Sequence, residues 1–245
     1  MRLRILGAAV AAILCGSAAA ASLQVAPISL SFPAGAAAQP LWLTNSGTGT
    51  LNAQVRIFHW TQENNEDVLS PTDRIVASPP IIAIAPDARQ LIRVVRIGDA
   101  APVAEESYRV LVDELPDPEP STTSGVNYVF RYSIPVFVEP AGPAASAGQI
   151  ASALHFSLAH TGGNVELVAE NAGATHAQLS AVNLLVPGHA PVVVSAGLLG
   201  YVLPGRTRRW PLPAEAARLP ATATLQAHVN GEPIHQALVL GGVAR

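Results

Sequence analysis

Val126-Asn127-Tyr128-Val129-Phe130-Arg131-Tyr132-Ser133-Ile134-Pro135-Val136-Phe137-Val138 is the longest unbroken strand-like run in the chain, and its reading decides the fold. One parity presents Val126, Tyr128, Phe130, Tyr132 and Ile134. At about 3.3 Å per residue such a strand reaches roughly 43 Å, more than a small sandwich is wide. Pro135 has no N–H for a ladder, which places that end of the run at a sheet edge. A long edge with large apolar residues and no Lys or Glu to discourage pairing is an aggregation hazard. Two readings follow. Either neighbouring strands close this one into a core, or the hazard is the function and the strand pairs with an incomplete partner protein. Four or five such side chains buried in a partner would contribute roughly 6–12 kcal/mol gross. Ladder hydrogen bonds add only about 0.5–1.5 kcal/mol each.

Moving outward, residues 115–125 are acidic and rich in Pro, Ser and Thr, the composition of a long loop. On the other flank, residues 139–148 offer few side chains that could build a core, and they read as a linker. The expected division is therefore a first domain at 22–139, a hinge at 140–149 and a second domain at 150–245. Within the first, Leu23 and Val25 share one parity while Ile28, Leu30 and Phe32 share the other, with Pro27 between them. A strand that changes face at a proline is kinked and pairs with a different sheet on each side. The alternation continues through 41–43, 53–60, 81–84, 91–97 and 108–112, with residues 62–67 as a hairpin tip. In the second half it recurs at 154–158, 164–170, 178–186, 192–194, 208–212, 222–229 and 234–240. No helical period stands out after residue 22. Short strands at such spacing make an all-β chain of two β-sandwiches joined by an elbow.

The chain has 245 residues, 49% apolar, 13% charged and 5% aromatic, with 19 Gly and 21 Pro, enough apolar material for more than one core. Its net charge of −3 excludes the basic excess of a nucleic-acid binder. All 14 basic residues are Arg, so any cationic site must use a guanidinium. Met1-Arg2-Leu3-Arg4, an apolar stretch from Ile5 to Leu14 and the small residues before Ala21 describe a secretory signal peptide over 1–21, cleaved near Ala21. The segment is too short to anchor as a span. Cys15, the one cysteine, leaves with it; lipidation at Cys15 is disfavoured by the bulk of Leu14. The exported product is expected to have no thiol and no membrane insertion.

Signs of catalysis are weak. There is no G-x-S-x-G elbow and no phosphate-cradling glycine loop. The seven His are scattered singly, and the mature chain lacks the Cys and Met a copper sandwich would use. Glu105-Glu106 and the acids at Asp117 and Glu119 read as solvated loop charge. No cofactor, metal or catalytic residue is assigned.

Several short motifs, in order, resemble a known family. They are Asn45-Ser46-Gly47, Trp60 ahead of Glu66-Asp67, Ser78-Pro79-Pro80-Ile81, Pro86 followed by Leu91-Ile92-Arg93, and Tyr108-Arg109 running into Glu114-Leu115-Pro116. Ile134-Pro135-Val136-Phe137-Val138, Leu203-Pro204-Gly205 and Asn230-Gly231 complete the set. Together they resemble the periplasmic chaperones of the chaperone–usher pathway for pilus assembly. The Pro135-Val136-Phe137-Val138 ending and the Trp60 context resemble the archaic branch, whose clients are spore-coat-U-like subunits. The resemblance implies two immunoglobulin-like domains in a boomerang. The run at 126–138 would complete a pilin subunit that lacks its last strand, and an outer-membrane usher would receive the subunit. Val126, Tyr128, Phe130, Tyr132 and Ile134 would be the donated side chains. The family also anchors the subunit's C-terminal carboxylate with a basic pair between its domains. Here Ser29 and the neighbourhood of Pro135 stand at those positions, so Arg109 and Arg131 are the candidates, each able to grip a carboxylate with two parallel bonds. Glu114 matches the family's interdomain ion pair, but Glu139 stands where an Arg is usual, and that network is not carried over. The competing reading is an exported structural or adhesive sandwich that polymerises with itself. Against it, Leu23 begins a strand almost at once and leaves no donor arm.

Overall fold

Alternation from Leu23 onward builds strands on both sides of one short helix. The computed structural model describes residues 23–98, 100–116, 129–161, 164–213 and 222–239. The signal segment, Val126 and Tyr128 lie outside the described residues. The first half holds β1 (Leu23–Ala26), β2 (Leu30–Phe32), β3 (Ala38–Asn45), β4 (Leu51–Glu63), β5 (Glu66–Pro71), β6 (Ile75–Ser78), β7 (Ile81–Ile84), β8 (Arg89–Arg96), β9 (Glu106–Leu115) and β10 (Arg131–Val138). The second holds α1 (Ala147–Ser152), β11 (Leu154–Thr161), β12 (Asn164–Asn171), β13 (Ala177–Leu185), β14 (Val192–Val202), β15 (Thr207–Pro211), β16 (Thr222–Val229) and β17 (Glu232–Val239). Among the described residues the longest strand is thus β4, and the described strand that ends at Val138 begins at Arg131.

Two sandwiches result. In the first, sheet β1-β3-β8-β6 packs on sheet β2-β10-β9-β4-β5, where β7 also pairs with β4. In the second, β11-β12-β15 packs on β14-β13-β16-β17. The kink at Pro27 does what its parity change implies: β1 pairs antiparallel with β3 in one sheet, while β2 pairs parallel with β10 in the other. Phe32, Leu41, Leu43, Ile92, Val94, Val110 and Val136 fill the first core. Leu158, Leu167, Leu179, Leu184, Leu225 and Val229 fill the second. Between them lies a third cluster, Trp60, Phe137 and Leu203, with Tyr201 packed against it. Asn64 and Asn65 turn the β4–β5 hairpin with φ of 50° and 67°, the two left-handed residues of a tight hairpin turn.

The linker departs from expectation in one respect. Ser146 caps α1 through a reciprocal pair with Gln149, whose backbone N–H donates to Ser146 Oγ while Gln149 Oε1 accepts from the Ser146 N–H at 2.8 Å. The S-x-x-Q spacing marks such a start, but a helix this short has no period to detect.

One device occurs in both sandwiches. Asn45 Nδ2 donates to Gly49 O at 2.8 Å and to Ile84 O at 2.9 Å, while its Oδ1 accepts from the Gly47 N–H at 2.9 Å. Asn171 repeats this on Thr175 O at 2.8 Å, Val202 O at 2.9 Å and the Gly173 N–H at 2.9 Å. Each buried amide closes its own turn and ties that turn to another strand. Removing it strands buried carbonyls, at about 1–3 kcal/mol each. Asn171→Ala should therefore lower second-domain stability by about 2–4 kcal/mol in urea unfolding. A midpoint equal to the parent's would show that the bracket is dispensable.

Candidate functional site

β10 is paired unequally on its two sides. Along its whole length, Arg131 to Val138, it faces β9. On the other side β2 covers only Val136, Phe137 and Val138, so residues 131–135 carry no strand there among the described residues. The ladder fixes which atoms face outward. Phe130 O accepts from the Glu114 N–H at 3.0 Å, so residues of even number exchange bonds with β9. Arg131, Ser133 and Pro135 consequently turn their backbone to the open side, and Pro135 has no N–H to leave unsatisfied.

Along the even parity, ownership of the side chains changes. Ile134 is 4% exposed and Val136 and Val138 are buried, all in the first core. Tyr132 is half-buried against that core, and its hydroxyl donates to Leu23 O. Burial pushes the Tyr132 phenol up, with Glu114 adding to the shift. Phe130 is 42% exposed and Val129 still more so. Ile134 is thus a correction to the expected donor set: its side chain already closes its own domain. Tyr132 sits at the rim of that core, and Phe130 lies beyond it.

Arg109 and Arg131 lie on neighbouring strands and on one face, yet they do not form a pair. The register sets Arg109 opposite Pro135 and Arg131 opposite Asp113. Four residues along the strand separate the two sites, about 13 Å. Arg131 is exposed and its Nε bonds Asp113 Oδ1; Arg56 takes Asp113 Oδ2 at 2.7 Å. Burial raises the Asp113 carboxyl, but the Arg131 and Arg56 guanidiniums outweigh it and hold the group below the ordinary aspartate range. Stability from this depressed carboxyl is complete above the free-aspartate value of about 3.9 and fades as pH falls below it. NMR titration should find the Asp113 midpoint below that value, and Arg131→Ala should move it upward. An unmoved midpoint would detach Arg131 from Asp113.

Arg109 occupies a different environment. Its guanidinium lies over the Trp60 ring at 3.7 Å and near Tyr201 at 5.4 Å, between the two domains. Burial pulls its pKa below the ordinary arginine value, partly opposed by Asp67 and Tyr201. Among the described residues it makes no hydrogen bond or ion pair. Close by, Trp60 Nε1 and Ser107 Oγ are buried without a partner. A stacked guanidinium leaves its edge, with its parallel N–H groups, free for a planar anion.

The residues that build this seat were not singled out together from the sequence. Trp60 packs against Phe137 at 6.1 Å and Tyr201 at 5.5 Å, and Phe137 stacks on His176 at 3.5 Å with 6° between planes. Glu105, read as loop charge, is buried instead, with a 3% exposed side chain bonded to His176 at 2.8 Å. Glu106 begins β9 and accepts from the Tyr108 hydroxyl at 2.7 Å. Sequence spacing carries no sign of the Glu105–His176 pair, whose members are 71 residues apart. The elbow is therefore braced rather than bare. Near it opens a cavity of about 570 Å³. Its polar lining is engaged by the fold: Glu105 with His176, Glu139 with Ser31, Gln149 with Ser146, and Asn230 with the Gln178 N–H. Among the described residues, no group of three or more His, Cys, Asp or Glu could hold a metal, and no helix is long and apolar enough to cross a membrane.

Comparison with known proteins identifies the family and the fold. The family model for the pili and flagellar-assembly chaperone, PapD N-terminal domain, matches residues 22–144. No curated protein sequence matches the chain. Among solved structures it is similar to a chain in the CsuC–CsuE chaperone–tip adhesion subunit pre-assembly complex from archaic chaperone–usher Csu pili of Acinetobacter baumannii. That match has TM-score 0.67 and 24% identity, over 92% of this chain and 100% of that one. It is also similar to the Salmonella enterica SafA pilin–SafB chaperone complex (TM-score 0.63, 19% identity, 89% and 96% covered) and to the Pseudomonas aeruginosa CupB2 chaperone (TM-score 0.60, 19% identity, 89% and 100% covered). At these identities the likeness shows the two-domain fold.

Proposed function

Because this chain belongs to the pili and flagellar-assembly chaperone family, we propose that it works in the periplasm, capturing pilin subunits that lack a final strand and passing them to an outer-membrane usher. The observation that carries this reading is the open side of β10 at residues 131–135, continuing into exposed Phe130 and Val129. The even-numbered face that closes the chaperone's own core as far as Tyr132 would close the subunit's core beyond it. Phe130, with Val126 and Tyr128, would supply the donated side chains. Three such residues contribute roughly 5–9 kcal/mol gross, at about 1.5–3 each. Arg131 and Ser133 offer the backbone rungs that set register, and a slip by one residue would turn every donated side chain the wrong way. No bond is made or broken, and no cofactor takes part.

The carboxylate anchor falls to Arg109 alone. It is unpaired, desolvated and pre-oriented by its stack on Trp60, whereas Arg131 is held by Asp113. A buried, charge-assisted fork to a C-terminal carboxylate is worth more than an exposed pair.

Co-expression with the exported β-rich proteins of the same cell, followed by pull-down and mass spectrometry, should recover a one-to-one complex with a subunit. Phe130→Asp should keep a sandwich-like circular-dichroism spectrum and lose that complex; undiminished capture would overturn the donor-strand assignment. Arg109→Ala should weaken capture at least tenfold while Arg131→Ala changes it less than threefold. The reverse order would return the anchor to Arg131.

A further inference from the structure

The Arg109 seat is made by both domains, and the guanidinium's contact with the Tyr201 ring at 5.4 Å does not by itself fix the second domain in place. Two side chains of the first domain bond the second directly, one on each side of the aromatic cluster. Gln62, on β4 and 4% exposed, commits its whole amide to the junction. Its Nε2 donates to Tyr201 O at 2.9 Å and to Asp67 Oδ1 at 3.1 Å, and its Oε1 accepts from the Leu203 N–H at 3.0 Å. An amide side chain here supplies the donor and acceptor that a neighbouring strand would offer β14. On the far side, the Glu105 carboxylate accepts from the His176 backbone N–H at 2.9 Å, and its two oxygens meet His176 Nδ1 at 2.8 and 2.9 Å. That bond holds the imidazole flat against Phe137. Trp60, Phe137, Tyr201 and Leu203 fill the space between the two clips.

We infer that Gln62 and Glu105 are positioning residues that lock the second domain against the first before any client arrives, so that the Arg109 seat is preformed. This rests on the reading of Arg109 as the carboxylate site. Contacts between domains of one chain are by default mobile, and an aromatic cluster alone sets no direction. Directional bonds at both ends do. Each clip makes bonds across the domains that exist only in this one arrangement, so domain swing would break the Gln62 bonds to Tyr201 O and the Leu203 N–H and take the His176 partners from the Glu105 carboxylate. A seat ready in advance spends no binding energy on ordering the domains.

Reactivity of the client-free protein tests the assignment directly. Phenylglyoxal modifies guanidiniums, and mass spectrometry can follow Arg109 with exposed Arg131 as the internal reference. Gln62→Leu and Glu105→Ala should each raise the Arg109 rate at least fivefold relative to Arg131. Glu105→Gln, whose side-chain oxygen still accepts from His176, should stay within twofold of the parent. Spin labels at Val76→Cys and Val193→Cys, one exposed position in each domain, should report a broader distance distribution in the first two variants only. If either fails to give a sandwich-like spectrum, His176→Phe takes its place, since it keeps the ring on Phe137 and removes Nδ1. Unchanged Arg109 reactivity in the folded variants overturns the positioning role. Because neither readout uses a client, a parent protein that captures no subunit would overturn the function without touching this result.

Discussion

Among the described residues, the rest of the structure depends on a strand that is finished on one side and unfinished on the other. β9 satisfies one edge of β10 throughout, and β2 satisfies the other only from Val136 onward, because the first strand leaves for the opposite sheet at Pro27. Had β2 continued alongside β10, residues 131–135 would be closed and the fold would be an ordinary sandwich. The open segment is kept from indiscriminate pairing by two residues. Pro135 faces outward where its missing N–H costs nothing, and Arg131 places a charge at the margin, tethered to Asp113.

The junction between domains is the second constraint. The chain contains no Lys, so the cation stacked between its domains is an Arg, Arg109, lying on an indole. A guanidinium is flat and weakly hydrated, and it gains from a ring face where an ammonium would demand water. Burial lowers the Arg109 pKa, yet a guanidinium in a protein keeps its charge. That is what allows a desolvated cation to wait unpaired.

Much of this was legible in the sequence, for a physical reason. Strand alternation is local, so parity at Leu23–Val25 and Ile28–Phe32 predicts the change of sheet, and the polar stretch 62–67 marks the hairpin tip between β4 and β5. That 131–138 forms a strand was legible, but not which of its side chains its own domain buries, since sequence alone cannot say where a core stops. Ile134 looks like Phe130 until the opposing sheet is in place to bury it. The anchor pair failed on register. Arg109 and Arg131 lie on adjacent strands, but only the observed offset, Arg109 against Pro135 and Arg131 against Asp113, shows that they stand four residues apart. Glu105, Gln62 and His176 were missed because their partners are far away in sequence and each residue alone is unremarkable.

Pro135 also sets a length limit. Outward-facing backbone on the open side of β10 ends at a residue with no hydrogen to give, so within β10 complete rungs are offered at Arg131 and Ser133 and none at Pro135. Any strand that came to lie there would meet a fixed stop at that end, and its alignment would be counted from it.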